Sequence, residues 1–190
     1  MKTKDRPKIL YVDDQLGNLT VFRASLRRFA DIHTARSGAE ALERLSKEQF
    51  AIVISDQRME GLSGVELLSE VRRLYPDTVR ILLTAYTDFN AVINAINDGR
   101  IARFVRKPWN REEMFAILDD AYQIYQQRVE VRVLNEQMAD QRALASYGAE
   151  SLRLLDTLSD EASRVAAENP ERARALLDVV AQLGALAPAA

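Results

Sequence analysis

A chain of 190 residues, 47% hydrophobic and 28% charged, is long enough to bury one core of ordinary size and to carry something smaller beside it. Its net charge of −2 gives no general attraction to nucleic acid or to an anionic membrane surface. The lack of cysteine excludes disulfides and thiolate metal sites, as suits a reducing cytoplasm, and no run approaches the roughly 18 apolar residues of a membrane span.

In chain order the pattern alternates. Lys8 to Val12 is a short apolar run ending at Asp13 and Asp14. Leu19, Phe22, Leu26 and Phe29 fall at helical spacing over Leu16 to Phe29. Asp31 to Ala35 is a weak strand, and Ser37 caps a helix with Ala41, Leu42 and Leu45 inward. Ala51 to Ile54 is a second apolar run, followed by Asp56. Ser63 then caps a helix carrying Val65, Leu67, Leu68 and Val71. Val79 to Leu83 ends at Thr84, Asp88 opens a helix that Gly99 stops, and Ile101 to Val105 ends at Lys107-Pro108. Asn110 caps the last helix of the series.

Five strands alternating with five helices, the strands near-continuously apolar, predict a doubly wound parallel sheet covered on both faces. Function in such sheets gathers at the carboxyl ends of the strands. Those ends carry Asp13, Asp14, Asp56, Thr84 and Lys107. Three carboxylates in one crevice repel one another, and a hard divalent cation relieves that repulsion. Mg²⁺ suits a small carboxylate set that also takes a phosphate oxygen. Asp56 then reads as a nucleophile forming an acyl phosphate, with Thr84 and Lys107 placed to contact the phosphoryl group.

The motifs VDD (Val12 to Asp14), the central Asp56 followed by Met59 and Gly64, Thr84-Ala85 and Lys107-Pro108 resemble, in order and spacing, the receiver domain of two-component response regulators, over residues 7 to 127. The resemblance implies the flavodoxin-like strand order 2-1-3-4-5. It implies that Asp56 accepts a phosphoryl group from a histidine kinase. Asp14, Asp56 and the Arg58 backbone carbonyl would hold Mg²⁺, with Asp13 acting through water. Thr84 and Phe104 would form a switch pair that changes the face made by the fourth helix, fifth strand and fifth helix. Glu60 stands where the family often has proline. Arg58 and Tyr86, two residues past Asp56 and Thr84, are bulky enough to shield an acyl phosphate, so self-dephosphorylation is expected to be slow. A haloacid-dehalogenase-like phosphatase also uses an Asp nucleophile on a parallel sheet, but that class has a second Asp where this chain has Arg58.

Past residue 127 the helix is expected to continue to about Ser146. Ile117, Ile124, Val131, Met138 and Ala145 recur every seventh residue. Leu134 is an apolar companion, whereas Gln127 and Gln141 are polar, as are Arg128, Asn135 and Arg142 in the alternative register. Tyr147-Gly148 reads as a break, so the division expected is 1–127 receiver, 128–147 continued helix and possible coiled coil, and 148–190 helical hairpin. The hairpin's first helix would carry Leu152, Leu155, Leu158 and Val165. Its second, opened by Asn169-Pro170, would carry Ala173, Leu176, Leu177, Val180 and Leu183. From Arg128 on there are seven Lys and Arg against ten Asp and Glu, and no histidine, which disfavours nucleic-acid binding and phosphotransfer on histidine. The expected output is protein–protein interaction, by homodimerisation through the C-terminal helices or with another protein. The alternative is the N-terminal part of a longer regulator with a catalytic output domain, for example of cyclic-dinucleotide or phosphatase type.

Overall fold

The computed structural model describes residues 6–85, 101–166 and 168–186. Its elements in order are β1 (Lys8–Val12), α1 (Leu16–Leu26), β2 (Asp31–Ala35), α2 (Gly38–Lys47), β3 (Ile52–Asp56), α3 (Gly64–Leu74), β4 (Val79–Thr84), β5 (Arg103–Arg106), α4 (Arg111–Val165) and α5 (Pro170–Leu186). The expected helix from Asp88 to Gly99 lies outside the described residues. The five strands pair in parallel in the order β2-β1-β3-β4-β5, as expected. Register sets the rim. Val12 lies opposite Ser55, Asp56 opposite Leu83 and Thr84 opposite Arg106, so the chemistry-bearing ends finish together.

Each strand sends alternate residues to opposite faces. Ile9, Tyr11, Ile52, Ile54, Ile81 and Leu83 join Phe22, Leu26, Met114 and Leu118 in one core layer. Leu10, Val12, Val53 and Leu82 join Ala41, Leu45, Leu67 and Leu68 in the other. Caps fix the helix starts. Ser37 accepts from the Glu40 N–H, Ser63 and Glu66 form a reciprocal capping box, and Asn110 accepts from the Glu113 N–H at 2.7 Å.

Several boundaries differ from the sequence expectation. α1 stops at Leu26, three residues early, and Phe29 is carried in the following turn, still buried in the core. β3 includes Asp56, which is therefore the strand's last residue rather than a loop residue beyond it. The larger correction concerns the C-terminal third. No break occurs at Tyr147-Gly148, and α4 is one helix of 55 residues. A glycine inside a helix costs about 1 kcal/mol relative to alanine. Ending the helix there would leave several backbone groups unpaired on each side. Ala143, Leu144, Ala145, Ala149 and Leu152 around it favour helix, so the single weak position is carried through. From residue 148 the chain runs as the end of α4 and then as α5. Between them Asn169 caps α5 by accepting from the Arg172 N–H at 3.1 Å.

Two compact units divide at residue 130, three residues past the expected boundary. Residues 1–130 contain the sheet. In residues 131–190, Ala162 and Ala173 are the buried side chains among the described residues. Leu155, Leu158, Val165, Leu176 and Val180 are half-buried at helical spacing around them.

Candidate functional site

The rim is held together by one ammonium. Lys107 Nζ lies 2.5 Å from Asp56 Oδ1 and 3.1 Å from Asp13 Oδ2. β5 brings it there, because the Lys107 N–H donates to the Thr84 carbonyl at the shared end of β4 and β5. Burial acts to lower the Lys107 pKa, but hydrogen bonds and charge from Asp56 and Asp13 outweigh it and hold the ammonium above its usual range. The Lys107-Pro108 peptide bond is cis. Trp109 then packs edge-on against Phe22, anchoring the start of α4 to the core.

Asp56 is nearly buried, and its Oδ2 accepts the Arg58 N–H at 3.1 Å. The loop that follows is clamped by Gln57. Its N–H donates to the Leu83 carbonyl, its own carbonyl accepts the Gly64 N–H, and its side chain accepts the Val65 N–H at 3.2 Å. Gly64 is required here by proximity. A Cβ at that position would overlap the Asp56 carbonyl oxygen and stand 2.7 Å from Leu82 Cδ1. The N-terminus of α3 can therefore close on β3 only as glycine. Gly61, at φ 82°, turns the loop in the left-handed region.

Asp13 is held from several sides. It is fully buried and accepts from the Tyr11 hydroxyl at 2.6 Å, the Gln15 N–H at 3.0 Å, the Asn18 amide at 3.0 Å and Lys107. Burial pushes its carboxyl up, yet these donors, Tyr11 first, outweigh burial and hold it below the usual carboxylate range. Burial likewise pushes the Tyr11 hydroxyl up, reinforced by Asp13. Asp13 thereby positions Lys107. Asp14 is the opposite case. It is half-exposed, and no donor among the described residues engages its carboxylate.

No three acidic side chains among the described residues gather closely enough to cage a metal. Mg²⁺ needs only one or two carboxylates with carbonyl and water oxygens. Asp14, Asp56 and the Arg58 backbone carbonyl are the oxygen donors that could hold such an ion. Thr84 is buried and donates to the Ala85 carbonyl at 2.9 Å, and Phe104 stands 40% exposed on β5. Arg58 is exposed, and Tyr86 lies outside the described residues. Tyr11, Asn18 and Gln57 were missed in the sequence. Tyr11 sat in an apolar run as core, and nothing local marked the other two.

A family model, the response regulator receiver domain, matches residues 9–119. The chain belongs to this family. Receiver domains are signalling modules of two-component systems that interact with histidine kinases, and the match decides against the dehalogenase-like alternative. The hydrogenase transcriptional regulatory protein HoxA of Cupriavidus necator is 37% identical over 101 residues, covering 53% of this chain and 21% of HoxA. The chain thus spans about a fifth to a quarter of the curated relatives it matches. Among solved structures, an adenylate cyclase from Rhodopirellula baltica aligns with TM-score 0.67 and 28% identity over 69% of this receiver-containing chain and 98% of that one. The signal receiver domain of an HD domain-containing protein from Pseudomonas fluorescens Pf-5 aligns with TM-score 0.64 and 33% identity, covering 68% and 96%. Among the described residues no helix is long and apolar enough to cross a membrane.

Proposed function

We propose that this receiver domain accepts a phosphoryl group on Asp56 from a histidine kinase. The observation that carries the reading is Asp56 at the end of β3, paired through one oxygen with Lys107 and through the other with a backbone N–H. In the transfer an Asp56 carboxylate oxygen bonds to phosphorus, the phosphorus–nitrogen bond of the donor histidine breaks, and the imidazole keeps that electron pair. Lys107 and the Thr84 hydroxyl offer a charge and a hydrogen bond to the phosphoryl oxygens. Asp14, Asp56 and the Arg58 carbonyl would hold Mg²⁺, which when bound offsets the carboxylate charges and takes up a phosphoryl oxygen.

Thr84 turning from the Ala85 carbonyl toward the phosphoryl group, with Phe104 moving inward, is the switch that changes the surface at β5 and the start of α4. Output is protein–protein association through that surface and the helical extension. The test is labelling with radioactive acetyl phosphate. Wild type should take up one base-labile phosphate per chain in a Mg²⁺-dependent way, and Asp56→Asn none. Equal labelling of Asp56→Asn would overturn the assignment.

A further inference from the structure

We propose that the stripe Val131, Leu134, Met138, Gln141, Ala145, Gly148 and Leu152 on α4 is the contact face of a parallel, in-register dimer of this chain. This deepens the reading of the extension as the interacting module by naming its partner as a second copy.

Three observations carry it. First, α4 is unbroken, so the seven-residue repeat does not end at Ala145 but runs on to Leu152 across Gly148. The repeat imposes the supercoiled seam of paired helices. Second, the stripe is open. Val131, Leu134, Met138 and Leu152 are 57%, 52%, 50% and 60% exposed. The positions withdrawn from solvent in the same unit are Leu155, Leu158, Ala162 and Val165 on α4 and Ala173, Leu176 and Val180 on α5. At 17 residues, α5 can run back along α4 no further than about residue 149. The chain's own α5 therefore leaves the stripe from Val131 to Ala145 uncovered.

Third, among the described residues the unit from Val131 on has two buried side chains, Ala162 and Ala173, while Val131, Leu134, Met138 and Leu152 on the stripe and Leu144 beside it stand exposed. A second copy supplies the missing core.

Orientation follows from Gln141. In a parallel, in-register pair it meets its own copy and the two amides hydrogen-bond each other, while Ala145 and Gly148 meet theirs in a close approach. An antiparallel pair that aligns Val131 with Leu155 sets Gln141 against Ala145 and leaves the amide unpaired. A single polar layer of this kind fixes register and partner number. The flanking positions that pair across a parallel seam, Glu130 with Asn135, Gln137 with Arg142, Leu144 with Ala149 and Ser151 with Asp156, contain no like-charge pair.

The absence of native cysteine makes the test direct. The full chain is examined by light scattering and by oxidative cross-linking of Ala145→Cys, with Arg132→Cys, on the outer side of α4, as control. The expected mass is twice the 21.5 kDa of the chain. Ala145→Cys should cross-link most of the protein and Arg132→Cys only at background. Met138→Glu, at an exposed position, should halve the mass with helix content and Trp109 fluorescence unchanged. A monomeric wild type at tens of micromolar, or cross-linking that favours Arg132→Cys, would overturn the proposal. Acetyl phosphate labelling on the same samples reads the Asp56 assignment separately, and Asp56→Asn should keep the mass.

Discussion

Gly64→Ala is the sharpest probe of how the strand that carries Asp56 is held. The added methyl would overlap the Asp56 carbonyl oxygen and sit 2.7 Å from Leu82 Cδ1, where carbon atoms rest at about 3.5–4.0 Å. Leu82 is fully buried, and the oxygen belongs to backbone locked in the sheet, so neither yields cheaply. The helix start must retreat by about 1 Å, stretching the Gly64 N–H to Gln57 carbonyl bond of 3.1 Å. Overpacking costs about 1–3 kcal/mol, and a backbone clash falls at the upper end. At a slope of about 2 kcal/mol per molar urea, the unfolding midpoint should drop by roughly 1.5 M. Trp109, the single tryptophan, reports this in the receiver unit. Acetyl phosphate labelling should fall in the folded variant, because the same retreat disturbs Asp56. Gly17→Ala, with nothing near the added carbon, is the control and should be neutral or slightly stabilising. A Gly64→Ala midpoint within 0.3 M of wild type, with full labelling, would refute the argument.

Tyr11→Phe removes the shortest donor to Asp13 and should cost about 1–2 kcal/mol in urea titrations at neutral pH. The folded Asp13 carboxyl is held below its unfolded value, so its stabilisation is present above about pH 4 and is lost as pH falls through the folded value. Asp13→Asn should flatten that acid limb in melts from pH 7 to pH 2, and an unchanged limb would count against the network. Lys107 has the opposite sign: its raised value gives stabilisation that is complete below about pH 10 and declines only as pH rises through the folded value. Ser63→Ala dismantles a capping box and should cost about 1 kcal/mol by the same titration. Wild-type label should persist for many minutes in Mg²⁺ without a phosphatase, and decay within seconds would remove Arg58 and Tyr86 as shields.

Much of the sheet was legible because its strands are short apolar runs with nothing else to do. Lys8–Val12 and Asp31–Ala35 are found where the pattern put them, and the caps at Ser37, Ser63, Asn110 and Asn169 are all engaged as their residue types demand. Ends were harder, since the stop of a helix is a balance of small terms. Gly148 shows how that balance misleads. A glycine is a strong signal beside a proline or a turn former. Inside a run of alanine and leucine it is a penalty of about 1 kcal/mol, which the neighbouring residues absorb.

The site was legible as a set and not as a division of labour. Strand ends told which side chains meet, because register follows from the sheet. They did not tell which carboxylate would be satisfied by protein and which left open, since that depends on donors arriving from other elements. Asp13 and Asp14 are adjacent and alike in sequence. One turns inward to a tyrosine on its own strand, a helix amide and an ammonium nearly a hundred residues away, and the other meets no donor among the described residues. The inward acid is saturated and ionised, which makes it a fixed anchor for Lys107. Lys107 in turn holds Asp56 by one oxygen. In the proposed acyl phosphate that oxygen's charge would be redistributed, while the anchored end of the bridge at Asp13 would stay in place. Lys107 is then the member free to follow the charge, and it lies four residues before the first turn of α4. A test separates the two roles: Asp13→Asn should weaken folding and loosen Lys107 while leaving some labelling, whereas Asp56→Asn should abolish labelling and leave the Asp13 to Lys107 contact intact.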